Sequence, residues 1–236
     1  MTTLTDIYDK MISNGSLEDD LCQREIVEQL ENISRQVSNL KKKSIFFRKS
    51  SDINGAYIWG GVGCGKSMLM DLFVENLSIP NRRVHFHAFM QEIHNSLHKA
   101  RSSGVKDPLA LVANEVIKNF KVLALDEMQI KDITDAMIVG RLFNLLFDGG
   151  VVIVTTSNRV PSDLYKNGLN RQLFVPFIDL INNRLSILNL RSKIDYRKSK
   201  LRGTRVYFSP LNADTKNKLH NLCRDLSGNE LSLIHI

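Results

Sequence analysis

No stretch of this 236-residue sequence stays apolar for the roughly 18–20 residues that a bilayer-spanning helix needs. Cysteine is scarce: Cys22, Cys64 and Cys223 form no Cys-x-x-Cys pair, and an odd number leaves one without a partner. A disulfide framework is therefore not expected, and a reducing compartment is. From Met1 to Lys10 the chain lacks the basic start and apolar stretch of a secretory signal, and it lacks the Arg-rich, acid-poor character of a transit peptide. These absences read as a cytoplasmic, bacterial protein, with peripheral attachment at the inner membrane as the alternative. Aromatic residues make up only 7% of the chain and do not interleave with its basic clusters at Lys41–Lys43, Arg48–Lys49, Arg82–Arg83 and Arg197–Arg202. The net charge of +7 is thus read as solvated surface charge, with nucleic acid left open as a partner.

What is present suits one α/β domain: 43% of residues are hydrophobic and 24% charged, enough to bury a sizeable core. Residues 1–50 are polar with Leu21, Ile26, Leu30, Ile33, Val37 and Leu40 at helical spacing, which predicts an amphipathic helical extension packed on a main domain. Short apolar runs at Ala56–Trp59, Arg83–Phe86, Val122–Leu125, Val151–Thr155 and Leu185–Leu190 predict buried strands. Helical patterns at Ser67–Leu77, Phe89–Ala100 and Ile133–Phe147 separate the first four, and Asp107-Pro108 opens a further helix over Leu109–Asn119. Such alternation predicts a three-layer fold, a parallel sheet with helices on both faces. The core is placed at 51–191, and a polar segment over 192–236 carries one more strand-like piece at Arg205–Phe208.

One stretch concentrates glycine where an ordinary strand or helix would not tolerate it. Gly60, Gly61, Val62, Gly63, Cys64, Gly65, Lys66, Ser67 and Met68 follow an apolar strand and run into a helical pattern, fitting G-x-x-x-x-G-K-[S/T] at every fixed position. Glycines at these places let backbone amides converge on a phosphate and direct a helix start at the same anion. Lys66 would reach the β- and γ-phosphates of a nucleotide, and the Ser67 hydroxyl would join a Mg²⁺ shell. Cys64 is read as a spacer.

A phosphate loop needs a carboxylate near the metal and a group that activates water. The apolar run ending in Asp126-Glu127 provides both at the C-terminal end of a predicted strand, where α/β sheets place their ligands. Asp126 is the metal candidate and Glu127 the general base. A further apolar run ends at Asn158, which would position water or sense the γ-phosphate if its strand lies beside both motif strands.

These residues, with the Arg83–Met90 block (Arg-Val-His-Phe-His-Ala-Phe-Met), the Asp126–Met137 block, Ser157-Asn-Arg159, Asp163–Leu169 and Phe174–Ile178, resemble the ZapE-type AAA+ ATPases, bacterial cell-division ATPases with mitochondrial relatives. The similarity runs from about Tyr8 to Phe208. It implies a P-loop AAA+ fold, ATP hydrolysis with Mg²⁺, a homo-oligomeric ring and, for bacterial members, association with the FtsZ division ring; the mitochondrial relatives are linked to protein quality control. By analogy with AAA+ proteins, Arg171 is the candidate arginine finger reaching a neighbouring subunit's γ-phosphate, with Arg159 as its competitor. Family members continue well past the equivalent of Ile236, so the resemblance implies that the helical lid and its nucleotide-sensing residue are missing from this sequence. An alternative is a nucleic-acid-stimulated ATPase, and a third reading is a nucleotide-binding module without turnover.

His85 and His87 alternate along a predicted strand and face one side of it, while His94 and His98 stand one turn apart on the helix that follows. Four imidazoles so close together raise zinc as a ligand. With no cysteine or paired carboxylate to complete a site, they are read instead as a histidine ladder in a strand–helix unit that responds to substrate or nucleotide.

Overall fold

The computed structural model of the chain describes residues 2–40 and 53–192, all within one compact unit, Met1–Lys193. The strand-like piece at Arg205–Phe208 and the lysine run Lys41–Lys43 lie outside the described residues. Five strands form one sheet: β1 (Gly55–Gly60), β2 (Asn81–His85), β3 (Val122–Asp126), β4 (Val152–Ser157) and β5 (Leu185–Leu190). Their order is β2-β3-β4-β1-β5, and every pairing is parallel.

Parallel strands covered on both faces read as continuous apolar runs, and the side chains here alternate between two cores. Ala56 and Ile58 of β1, Val122 and Ala124 of β3, and Val152 and Val154 of β4 face one core. Tyr57, Leu123, Leu125 and Ile153 face the other. The first core is closed by α3 (Lys66–Glu75) and by two N-terminal helices, α1 (Leu4–Ser13) and α2 (Leu21–Leu40). Ile26, Leu30, Ile33 and Val37 of α2 are buried as their spacing predicts, whereas Leu21, at the helix start, is 76% exposed. Asp20 caps α2 by accepting from the amides of Cys22 and Gln23 at 2.9 and 3.4 Å. The second core is closed by α4 (Phe86–Ser102), α5 (Pro108–Asn119), α6 (Ile133–Asp148) and α7 (Val175–Arg184). Asp107 caps α5 and Pro108 occupies its first turn.

Two features depart from the sequence reading. First, β2 begins at Asn81 and stops at His85, so Phe86 belongs to α4 rather than to the strand. Phe86, Phe89, Met90, Ile93 and Leu97 recur at helical spacing and are all buried, and this stripe sets the boundary. His87 is therefore helical and does not share a strand face with His85. Second, the connection from β4 to β5 contains α7, where no helix was expected. Its Val-Pro start looks like a break, but Pro176 lies in the first turn, where a missing amide costs nothing. Phe177 then packs edge-on against Phe143 of α6 with ring centroids 5.1 Å apart.

Candidate active site

The glycine-rich loop leaves β1 at Gly60 and enters α3 at Lys66. Gly63 and Gly65 hold φ of +84° and +97°, values that a residue with a β-carbon rarely adopts. Gly65 stands at the N-cap of α3 with no side chain capping the helix, so the first amides of α3 are left for a ligand. Lys66 is only 9% exposed, and its ammonium folds back to donate to the carbonyls of Gly60 at 3.0 Å and Gly61 at 2.6 Å. Cys64 is buried, with its thiol donating to the Gly61 carbonyl at 2.9 Å. Val62 projects at the loop tip, 61% exposed, and Met68 packs against the first core.

Asp126 ends β3 and is 2% exposed. Its Oδ1 accepts from the Ser67 hydroxyl at 3.5 Å, although the two residues are 59 positions apart in sequence. The same oxygen accepts from the Thr156 hydroxyl and from the Glu127 amide at 3.1 Å, and Oδ2 accepts from the Arg83 guanidinium at 2.8 Å. Burial opposes ionisation of this carboxyl, but the Thr156 and Arg83 hydrogen bonds and the Arg83 charge outweigh it and hold its pKa below the usual carboxylate range. Arg83 also pairs with Asp71 of α3, so one guanidinium ties β2, β3 and α3 together.

A hydroxyl and an ionised carboxylate brought together beside a phosphate-type loop are the hard oxygen donors that Mg²⁺ takes alongside nucleotide phosphates. Ser67 and Asp126 therefore fit the metal that the loop pattern implies.

Glu127 is exposed and adopts φ +55°, an uncommon conformation for a residue other than glycine. Its amide donates to Thr156 Oγ1 at 2.9 Å, and the Met128 amide donates to the Thr156 carbonyl at 2.7 Å. β4 thus shapes the turn that turns Glu127 out at the sheet edge. This follows from the strand order, since β4 lies between β1 and β3. Asn158 is exposed directly after β4, at the same C-terminal edge as the loop and Asp126. Arg159 is also exposed there, and its carbonyl accepts from Tyr57 at 2.8 Å. Arg171 lies farther along the chain, where its guanidinium donates to the carbonyls of Leu164 at 2.8 Å and Ser162 at 2.6 Å.

The sequence reading missed Thr156 and Arg83 as partners of Asp126. Thr155, Thr156 and Ser157 are all buried, and a polar triplet ending an apolar strand was the available signal for the first. For Arg83 the signal was weak, since arginine on an edge strand reads as surface charge.

The histidines separate. His85 ends β2 in register with Asp126, and it lines a cleft of about 600 Å³ with His87, Asp126, Glu127, Asp132 and Asp135. His94 pairs with Asp135 at 2.7 Å, and His98 is exposed on α4. Among the described residues no group of three or more His, Cys, Asp or Glu is arranged to hold a metal.

Comparison with known proteins follows the same lines. The AFG1-like ATPase family model matches residues 2–233. The cell division protein ZapE of Escherichia coli is 36% identical, the alignment covering 96% of this chain and 64% of that protein. Lactation elevated protein 1 homolog B of Danio rerio is 40% identical over 84% of this chain and 41% of its own length. The chain therefore spans less than two thirds of these relatives. Among solved structures, the replication initiator DnaA bound to AMPPCP and single-stranded DNA superposes with a TM-score of 0.53 at 18% identity, over 87% of this chain and 58% of that one. At that identity the likeness concerns the fold. Among the described residues no helix is long and apolar enough to cross a membrane.

Proposed function

We propose that this chain, which belongs to the AFG1-like ATPase family, binds ATP with Mg²⁺ and hydrolyses it to remodel or regulate a protein partner. The observation that carries this reading is the meeting of Ser67 and Asp126 at 3.5 Å beside a loop in which Gly63 and Gly65 hold positive φ. In this proposal residues 51–191 are the catalytic core, and the N-terminal helices α1 and α2 are an extension packed on it.

The amides of Gly61, Val62, Gly63, Cys64, Gly65, Lys66, Ser67 and Met68 converge on the phosphates, and the Lys66 ammonium exchanges its loop carbonyls for β- and γ-phosphate oxygens. Ser67 and Asp126 hold Mg²⁺, which when bound neutralises charge on the phosphates. Glu127 accepts the proton of the attacking water, and Asn158 orients that water or senses the γ-phosphate. A neighbouring copy in a homo-oligomeric ring supplies an arginine that stabilises the charge of the transition state. Arg171 is the first candidate and would have to release Leu164 and Ser162 to serve; Arg159 is the second, already exposed at the site's edge.

The E. coli relative is a cell division protein, which supports a role in cell division for this chain; FtsZ at the division ring is the partner proposed, in the cytoplasm or peripherally at the inner membrane. A second reading, stimulation by nucleic acid, is favoured by the net charge of +7. Phosphate release measured with FtsZ polymers or with DNA at two salt concentrations separates them. The first reading expects FtsZ polymers to raise turnover and DNA to leave it unchanged. Stimulation by DNA alone, falling steeply with salt as phosphate contacts require, would overturn it in favour of the second.

A further inference from the structure

Gln23 lies in the first turn of α2 and is wholly removed from solvent. A buried amide is costly unless its donors and acceptors are used, and here they connect two distant parts of the molecule. Nε2 donates to the carbonyl oxygen of Cys64 in the phosphate loop at 3.0 Å. Oε1 accepts from the hydroxyl of Tyr8 at 3.1 Å. Tyr8 is itself fully buried, and burial pushes its pKa up to about 12, so it remains a donor across the physiological range. The Cys64 carbonyl can only accept, so the amide turns its NH₂ toward the loop, and the Tyr8 hydroxyl holds that orientation by donating to Oε1 on the other side. Tyr8 is in turn held in place by Arg24, which lies over its ring at 5.6 Å and pairs with Asp9 at 2.6 Å.

The consequence for the loop follows from the planarity of the peptide unit. In a trans peptide the C=O and the N–H point in opposite directions. Drawing the Cys64 carbonyl toward α2 therefore turns the Gly65 N–H away from α2. The packing leaves no slack: a β-carbon on Gly65 would stand 2.7 Å from Gln23 Nε2. We propose that Gln23, oriented by Tyr8, is a positioning residue that sets the Cys64–Gly65 peptide so that the Gly65 amide faces the phosphates. The N-terminal helices then do more than cover a core face; they hold the cradle in its binding conformation. This inference rests on the nucleotide-binding reading above.

Gln23→Met keeps the length and apolar packing of the side chain while removing both hydrogen bonds, and Tyr8→Phe removes only the group that orients the amide. ATP affinity by calorimetric titration, kcat and KM, and the thermal midpoint are measured for the full chain and both variants. Gln23→Met is expected to weaken ATP binding about tenfold through KM, with kcat at saturation little changed, as loss of one well-aimed donor to a charged phosphate implies. Tyr8→Phe shifts affinity the same way by a smaller factor. Wild-type affinity in both variants, even with a lowered thermal midpoint, assigns Gln23 to packing alone and overturns the inference while leaving nucleotide binding intact. If Gln23→Met does not fold, Tyr8→Phe with unchanged affinity overturns it by itself. A wild-type chain that binds no ATP overturns both this inference and the functional reading beneath it.

Discussion

Glu127→Gln lowers the rate of phosphate release by about 10²–10⁴-fold, the range a positioned general base contributes, while ATP affinity stays within about twofold because the lost charge acts on the transition state. Glu127 is exposed at the sheet edge and its backbone is held at φ +55° by bonds from its own amide to Asp126 and Thr156. Those bonds involve the main chain, so the substitution leaves them in place and the turn keeps its shape. The amide retains the size of the carboxylate and loses its basicity. Single-turnover phosphate release, with affinity measured in parallel, checks the split. An unchanged rate would remove Glu127 from catalysis.

Lys66→Ala abolishes ATP binding at ordinary concentrations. Each charge-assisted hydrogen bond contributes roughly 1.5–3 kcal/mol, so an ammonium serving two phosphates accounts for about 10²–10⁴-fold in affinity. The side chain is nearly buried and already turned along the loop, bonded to the Gly60 and Gly61 carbonyls. Binding thus exchanges one set of oxygens for another instead of drawing a lysine in from solvent. Removing it leaves those carbonyls able to accept from water, so the fold survives and circular dichroism is unchanged. Calorimetric titration is the check, and wild-type affinity in this variant would refute the assignment of the loop.

How much of this could be read from residues alone depended on whether a partnership is local. The loop from Gly60 to Ser67 is contiguous, and its backbone demands are written into glycine positions. Asp126 and Glu127 were legible because a four-residue apolar run placed them at a strand's end. The sheet with helices on both faces followed from alternating strand and helix periods, and the Asp107-Pro108 start of α5 from its cap chemistry. Thr156, Arg83 and Gln23 were not legible, because each acts on a residue brought to it by the order of strands or by packing of the N-terminal helices. The placement of His87 on a strand beside His85 failed for a related reason. Alternation over Val84–His87 looks like a strand, but the buried stripe beginning at Phe86 has helical spacing and a larger apolar surface to cover. α7 was hidden by Pro176, a helix breaker everywhere except in the first turn it occupies.

The claim on which everything else depends is that the phosphate cradle and the acidic pair serve one magnesium nucleotide. Titrating Mn²⁺, read by electron paramagnetic resonance, into the chain with and without ATP tests it most directly. Tight Mn²⁺ uptake is expected only when ATP is present, weakened about tenfold or more by Ser67→Ala and by Asp126→Asn as each removes one hard oxygen donor. Mn²⁺ bound equally well without ATP, or undisturbed by both substitutions, would contradict it.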